Sequence, residues 1–360
     1  MTNIGCEPFA KSYQSISNPR MYESDEYLSP ASNPDQIKVV TWNIRWGCGR
    51  LPWFVDSCGE MALADYESVE EIMEKIADTL NSIDADIVLL QEVDIESKRS
   101  GFMDQMQYLL NNTNLNYGAY ASMMDVDFVF SDGLGRINTG NAILSKFQLT
   151  EAERIKLRLR TDQTTLVQYG YARRNILKAK IPELSQGSKD FYAVNIHATA
   201  FATDDTKKQH INKYVEILSD IQNNNNYFVT GGDLNSVPPG SVIDFCESDK
   251  CDGENCDGDY ENNEAYHGSY FEHFEGEPEI LVPLYNSYDA AINLADANLP
   301  VHYSHAPSTS FERNNIKYDR KLSYLFTNKN WIIEKSITHQ SAWEISDHMP
   351  ISSVVMISNR

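Results

Sequence analysis

Tyr227-Phe228-Val229-Thr230-Gly231-Gly232-Asp233-Leu234-Asn235-Ser236 decides how this chain is read, together with Ser346-Asp347-His348-Met349-Pro350 and the strand-like run Ile351 to Met356 behind it. In each, an apolar run adjoins a cluster of short polar groups. A buried strand has little reason to end in Asp, Asn and His unless those groups face a cleft or cap a turn. Two such ends in one chain point to a site where strands converge.

Further strand ends repeat the pattern. Asn43 follows Val39-Val40-Thr41-Trp42, Glu92 follows Leu89-Leu90-Gln91, and His197 follows Val194-Asn195-Ile196. Alone, each has a plain reading: a turn residue, a surface carboxylate, a satisfied core imidazole. Jointly, Asn43, Glu92, His197, Asp233, Asn235, Asp347 and His348 are the residue types that metal-assisted phosphoryl chemistry needs. A hard divalent cation takes carboxylate and amide oxygens plus water. A phosphoester needs a Lewis acid, an activated water and donors for developing charge. A carboxylate beside a histidine can move protons.

The rest of the chain reads as one α/β domain from about residue 37 to 360, with strands outnumbering helices. Val69, Ile72, Met73, Ile76, Leu80 and Ile83 recur at helical spacing, so the sequence predicts an amphipathic helix over 66–83. Ile211, Tyr214, Val215, Leu218 and Ile221 mark another, and a shorter helix is expected near 102–110. Strands are expected at 37–42, 87–90, 140–145, 155–159, 176–181, 191–196 and 227–230. Residues 1–36, rich in Ser, Asn and Pro, read as a tail or linker.

The chain holds 30 basic and 52 acidic residues, for a net charge of -22. That balance argues against a broad nucleic-acid footprint, which needs Lys and Arg to replace counterions. Residues 245–279 carry 12 acidic residues and one Lys, so 245–280 reads as an acidic, cysteine-containing insertion. There, Asp257, Asp259 and Glu261 alternate as calcium ligands in a loop can, without the full EF-hand pattern. No run reaches the roughly 18 apolar residues of a membrane helix. Six cysteines invite disulfides, Cys48 with Cys58 and a pair among Cys246, Cys251 and Cys256, which would place the protein outside the cytoplasm. Ile4-Gly5-Cys6 resembles the end of a bacterial lipoprotein signal, with Cys6 as the lipidated residue and membrane attachment as the consequence.

Six blocks in order carry a wider resemblance: Thr41-Trp42-Asn43-Ile44, Leu89-Leu90-Gln91-Glu92-Val93, Gly140-Asn141-Ala142-Ile143-Leu144-Ser145, Asn195-Ile196-His197, Gly232-Asp233-Leu234-Asn235-Ser236 and Ser346-Asp347-His348. Over roughly 37–356 the chain resembles the endonuclease/exonuclease/phosphatase superfamily, with the DNase I-like fold. The resemblance implies a four-layer sandwich of two packed mixed sheets flanked by helices. It implies a hydrolase dependent on magnesium or manganese, with Glu92, Asn43 and Asp347 at the metal. His197, Asp233, Asn235 and His348 would be catalytic, while Asn43 and the loosely aligned Arg173 and Arg174 would bind substrate. One departure stands out. In Lys321-Leu322-Ser323-Tyr324-Leu325-Phe326, Ser323 occupies the place of an Asp that orients the last His in relatives. Asp319, four residues upstream, could take its place only across a bulge.

The expected substrate is a small phosphodiester or a phospholipid head group. A secreted nuclease is the alternative, with Arg154, Lys156, Arg158 and Arg160 contacting a backbone. A degenerate, non-enzymatic binding relative is the third reading. No obligate protein partner is evident.

Overall fold

Apolar residues on both faces of most strands demand a covering layer on each side, and the architecture follows from that. The computed structural model describes residues 11–30, 34–54, 58–129, 133–164, 167–168, 171–241, 245, 248, 276–307 and 318–357. Its strands in chain order are β1 (Ile16–Ser17), β2 (Arg20–Glu23), β3 (Gln36–Asn43), β4 (Ile87–Asp94), β5 (Tyr117–Val129), β6 (Gly135–Ser145) and β7 (Thr150–Lys156). They continue as β8 (Asn175–Lys180), β9 (Phe191–His197), β10 (Tyr227–Asp233), β11 (Asp289–Ala290), β12 (Ser323–Thr327), β13 (Trp331–Thr338) and β14 (Ile351–Met356). Two mixed seven-stranded sheets result, ordered β1-β7-β8-β9-β10-β12-β11 and β13-β14-β3-β4-β6-β5-β2.

The sheets pack face to face over Val39, Leu89, Ile143, Leu177, Ala193, Val229, Leu325 and Ile351. The alternate residues face outward, as period two requires. Val40, Trp42, Val88 and Leu90 meet α1 (Tyr66–Ile83) and α2 (Gln105–Asn112) through Met73, Ile76, Leu80 and Leu109. On the other sheet, Ile176, Val194, Ile196 and Phe228 meet α3 (Thr206–Asn223) and α4 (Val282–Ser287) through Ile211, Tyr214, Leu218 and Leu284. The four layers are those expected. Local signals agree: Asp65 and Asp104 cap α1 and α2 by accepting from the Ser68 and Gln107 amides.

Asn195 bolts the sheets together. Its Nδ2 donates to the Leu90 carbonyl at 2.7 Å and the Ala142 carbonyl at 2.8 Å, and its Oδ1 accepts from Gln91 Nε2 at 2.7 Å. Gly232 must be glycine: at φ 149° a Cβ would lie 1.8 Å from the Ile196 carbonyl oxygen.

Several expectations are corrected. The first 36 residues are not only a tail, since β1 pairs with β7 and β2 with β5 at sheet edges. Polar edge strands bury too little to show a periodic signal; in β2 Tyr22 alone is buried. The strand expected at 155–159 runs over β7, and β5 and β13 were not foreseen. The end of the stretch read as an acidic insertion joins the folded body. Glu277 is buried against Lys207, and Ile280 and Leu281 enter the core. Cys48 is a free, buried thiol, so the expected Cys48–Cys58 bridge is not made. Cys6, Cys246, Cys251, Cys256, Asp257, Asp259 and Glu261 lie outside the described residues, and with them the expected lipid anchor, the second disulfide and the calcium loop.

Candidate active site

At one end of the sandwich the strand ends converge. β10 delivers Asp233 in register with His197 of β9 and, on its other side, Ser323 of β12. β3 and β4 bring Asn43 and Gln91 side by side, and the next residue, Glu92, sits on a β-bulge between Leu90 and Val93 with φ 57°. A non-glycine residue in that conformation is strained, and the bulge re-aims its carboxylate out of the ladder into the cleft. Asn235 is likewise left-handed at φ 48°. The 346–348 segment is tied to this cluster: Ser346 Oγ donates to the Asn43 carbonyl at 2.8 Å, and Trp42 Nε1 donates to the His348 carbonyl at 2.8 Å.

Asp233 is the hub. Its Oδ2 accepts from Asn43 Nδ2 at 3.1 Å, and its Oδ1 accepts from the Asn235 amide at 2.9 Å. Two imidazoles face the same Oδ2, His197 Nε2 at 3.5 Å and His348 Nε2 at 3.6 Å. Glu92 Oε1 lies 3.9 Å from His197 Nε2. Asn235 Nδ2 donates to the Ala198 carbonyl at 3.1 Å, which fixes the turn after β10.

The carboxylates differ in character. Burial, with the nearby Asp347 charge, pushes Glu92 up to about 7. Asp347 is half-buried, but Arg45 outweighs that desolvation and holds it below the usual range, with Nε 3.2 Å from Oδ2. Burial, reinforced by Arg174 and His348, keeps the His197 imidazole well below its ordinary value and therefore neutral.

Among the described residues no group of three or more His, Cys, Asp or Glu is arranged to hold a metal. The donors present are two mutually repelling carboxylates, Glu92 and Asp347, beside the Asn43 amide. A hard cation that keeps several waters fits such a set, while a closed zinc cage does not.

The two arginines divide. Arg174 lines the cleft, and its Nε and Nη1 are buried with no hydrogen-bond partner among the described residues. Arg173 is not brought to the site; its Nη1 donates to the Gln168 and Tyr171 carbonyls at 2.6 and 2.8 Å. Of the basic residues expected to contact a backbone, Lys156 and Arg158 are exposed, and the others are engaged within the chain. Arg154 is buried and donates to the Ser122 and Arg173 carbonyls, Arg160 grips Asp162, and Arg158 lies 3.7 Å from Asp205.

Ser323 is fully buried, and its Oγ and His348 Nδ1 both lack a partner among the described residues. The hydroxyl therefore does not hold the imidazole. Asp319 bonds instead to His305. Sequence reading missed Arg45, His305 and the cleft walls. The cleft measures about 630 Å³, and its apolar walls include Trp53, Phe54, Met124, Val129, Val167 and Phe201. Arg99, also on its wall, is spent on a bidentate pair with Asp94 at 2.9 Å.

The model of the Endonuclease/Exonuclease/phosphatase family matches residues 40–348. Solved structures with the same architecture include an endonuclease/exonuclease/phosphatase from Beutenbergia cavernae (TM-score 0.57, 13% identity, 90% of this chain and 72% of that one). Another, from Bacteroides vulgatus, has TM-score 0.53 and 15% identity over 90% of this chain and 99% of that one. A functionally unknown conserved protein from Enterococcus faecalis has TM-score 0.51 and 14% identity over 89% of this chain and all of that one. At these identities the likeness concerns the fold. No curated protein matches the chain.

Proposed function

The chain belongs to the endonuclease/exonuclease/phosphatase family, whose members are generally hydrolases of phosphate esters, and from that premise we propose that it is a divalent-metal-dependent phosphodiesterase acting on a small phosphodiester or a phospholipid head group. The observation that carries this reading is the convergence of Asn43, Glu92, His197, Asp233, Asp347 and His348 on one cleft that Arg174 also lines.

Glu92, Asp347 and Asn43 would hold magnesium or manganese, whose chemistry is to neutralise phosphoryl charge and acidify water. The remaining work falls to the chain. Arg174 offers its unpartnered N–H groups to a phosphoryl oxygen. Asp233, held by Asn43 and the Asn235 amide, orients an attacking water and accepts its proton. His348 donates to a phosphoryl oxygen. His197, kept neutral by burial, faces both Glu92 and Asp233.

Cleft chemistry supports a small or apolar ester over an extended nucleic acid. With Arg99 held by Asp94, Arg174 is the arginine left for a phosphate among the described lining residues, and the walls are apolar. A polynucleotide needs a track of cations. An extracytoplasmic location is part of the proposal, resting on the cysteine content of the chain.

The test is a panel of bis-p-nitrophenyl phosphate, p-nitrophenyl phosphate, sphingomyelin and plasmid DNA with magnesium, manganese or calcium. We expect metal-dependent cleavage of a diester that Glu92→Ala abolishes in a folded protein. Cleavage of DNA alone would make the chain a nuclease, and cleavage of nothing would make it a binding protein.

A further inference from the structure

His348 is placed for chemistry by the reading above, yet no hydrogen bond among the described residues orients its ring. Nδ1 has no partner, and Nε2 stands 3.6 Å from Asp233 Oδ2, beyond hydrogen-bond range. Its backbone is fixed, with N–H on Ser346 Oγ at 3.2 Å and the carbonyl on Trp42 Nε1. That leaves rotation about the side chain to be settled by packing.

What packs there is His305. The two rings meet edge to face, centroids 5.3 Å apart and planes at 76°. His305 is itself held hard. Its Nδ1 lies 2.9 Å from Asp319 Oδ1, and the other carboxylate oxygen accepts from Ser248 Oγ and Arg320 Nε at 2.9 and 2.8 Å. Burial opposes ionisation of Asp319, but Arg320 and His305 outweigh it and keep the carboxylate charged.

The segment carrying His305 is laced to both sheets. The Ala306 amide donates to the Asp347 carbonyl at 2.7 Å, and the Met349 amide donates to the Ser304 carbonyl at 2.9 Å. On the opposite side the Ser304 and His305 amides both donate to the Arg320 carbonyl, at 2.8 and 3.0 Å. Ser304 Oγ accepts from the Leu322 and Ser323 amides at 3.0 Å each. The imidazole beside His348 is thus braced from β12 and from the approach to β14 together.

We propose that His305, anchored by Asp319, is the positioning residue for His348: it sets the plane of that imidazole by ring packing, where a direct hydrogen bond to Nδ1 is lacking. A buried, doubly held aromatic wall restricts its neighbour to few rotamers. The role for His348 in turnover rests on the phosphodiesterase reading; the ring contact does not.

The experiment compares wild type, His305→Ala, Asp319→Asn and His348→Ala, and the double variant His305→Ala/His348→Ala, with thermal unfolding to identify folded variants. Two readouts are taken: kcat and KM on bis-p-nitrophenyl phosphate with manganese, and carbon-13 relaxation of the His348 ring in the metal-free protein. We expect His305→Ala to lower kcat about tenfold or more with KM changed less than twofold. Asp319→Asn should shift in the same direction. The His305→Ala loss should disappear in the His348→Ala background, because both changes act through one ring. Ring mobility at His348 should rise in His305→Ala and in Asp319→Asn. Unchanged ring mobility in folded His305→Ala and Asp319→Asn would overturn the proposal, as would an undiminished loss in the double variant. A wild-type protein with no phosphoesterase activity would refute the functional reading, and the relaxation measurement would still decide the positioning claim.

Discussion

Glutamine at position 92 should stabilise the metal-free protein, and more so as pH rises. Burial and the Asp347 charge raise Glu92 from an ordinary 4.5 to about 7. A carboxyl whose folded value is raised contributes stability that is fully present below 4.5 and is lost as pH climbs through 7, because the folded state resists giving up the proton. Integrating between those values gives a penalty of about 1 kcal/mol at pH 5 and about 3 kcal/mol at pH 8. The side chain is 18% exposed to the cleft, so water screens part of this charge. Glutamine has the same shape and no charge, so Glu92→Gln should remove the pH-dependent penalty. With a chelator present, the variant's gain should grow by about 2 kcal/mol from pH 5 to pH 8, an increase of about 3 °C in the Tm difference for a chain of this size. Any constant cost of the buried amide cancels in that comparison. Urea unfolding at pH 5, 6.5 and 8 measures it. Adding manganese at pH 8 should then stabilise wild type much more than the variant, since the charge that is costly in the empty cleft is the charge that binds the cation. A stability difference that does not change between pH 5 and 8 would refute the assignment of a raised carboxyl at Glu92.

Three further outcomes follow from the same geometry. Ser323→Asp, which restores the carboxylate that relatives carry at this place, should raise turnover about tenfold if that carboxylate reaches the unpartnered His348 Nδ1, equivalent to roughly 1.4 kcal/mol of transition-state stabilisation, and the gain should vanish in a His348→Ala background; an unchanged rate in folded, metal-loaded enzyme would show that the two residues are not coupled. Asn195→Ala removes three hydrogen bonds between the sheets and strands their buried partners, so urea unfolding should show a loss of about 3 kcal/mol, and a loss under about 1 kcal/mol would contradict the bolt. Thiol counting under denaturing conditions, on protein purified without reductant, should find Cys48 free and fewer than six thiols in all; six would contradict the extracytoplasmic reading.

By itself the sequence determined the main helices and strands and the polar ends at which apolar runs stop, while the four-layer sandwich came from the family resemblance. Period-two and period-3.6 patterns are local consequences of backbone geometry, so α1, β3, β4 and β14 are legible where an apolar face repeats. Strand ends are legible for the same reason: Asn43, Glu92, His197, Asp233 and Asp347 break apolar runs, and a buried run tolerates such a break only at a cleft or a turn.

Which polar groups meet was decided by the tertiary structure alone. Adjacent Arg173 and Arg174 look equivalent along the chain, yet one is spent on carbonyls and the other lines the cleft. Arg154 reads as a solvated cation and is buried under Tyr13, 3.7 Å from its ring. His305 and Asp319 carry no motif, and β1 and β2 carry no periodicity. The places of β1 and β2 depend on strand pairings between residues about a hundred or more apart, such as Ile16 with Ile155 and Arg20 with Tyr120. Local propensity encodes which face a residue takes, but not which distant residue that face will meet.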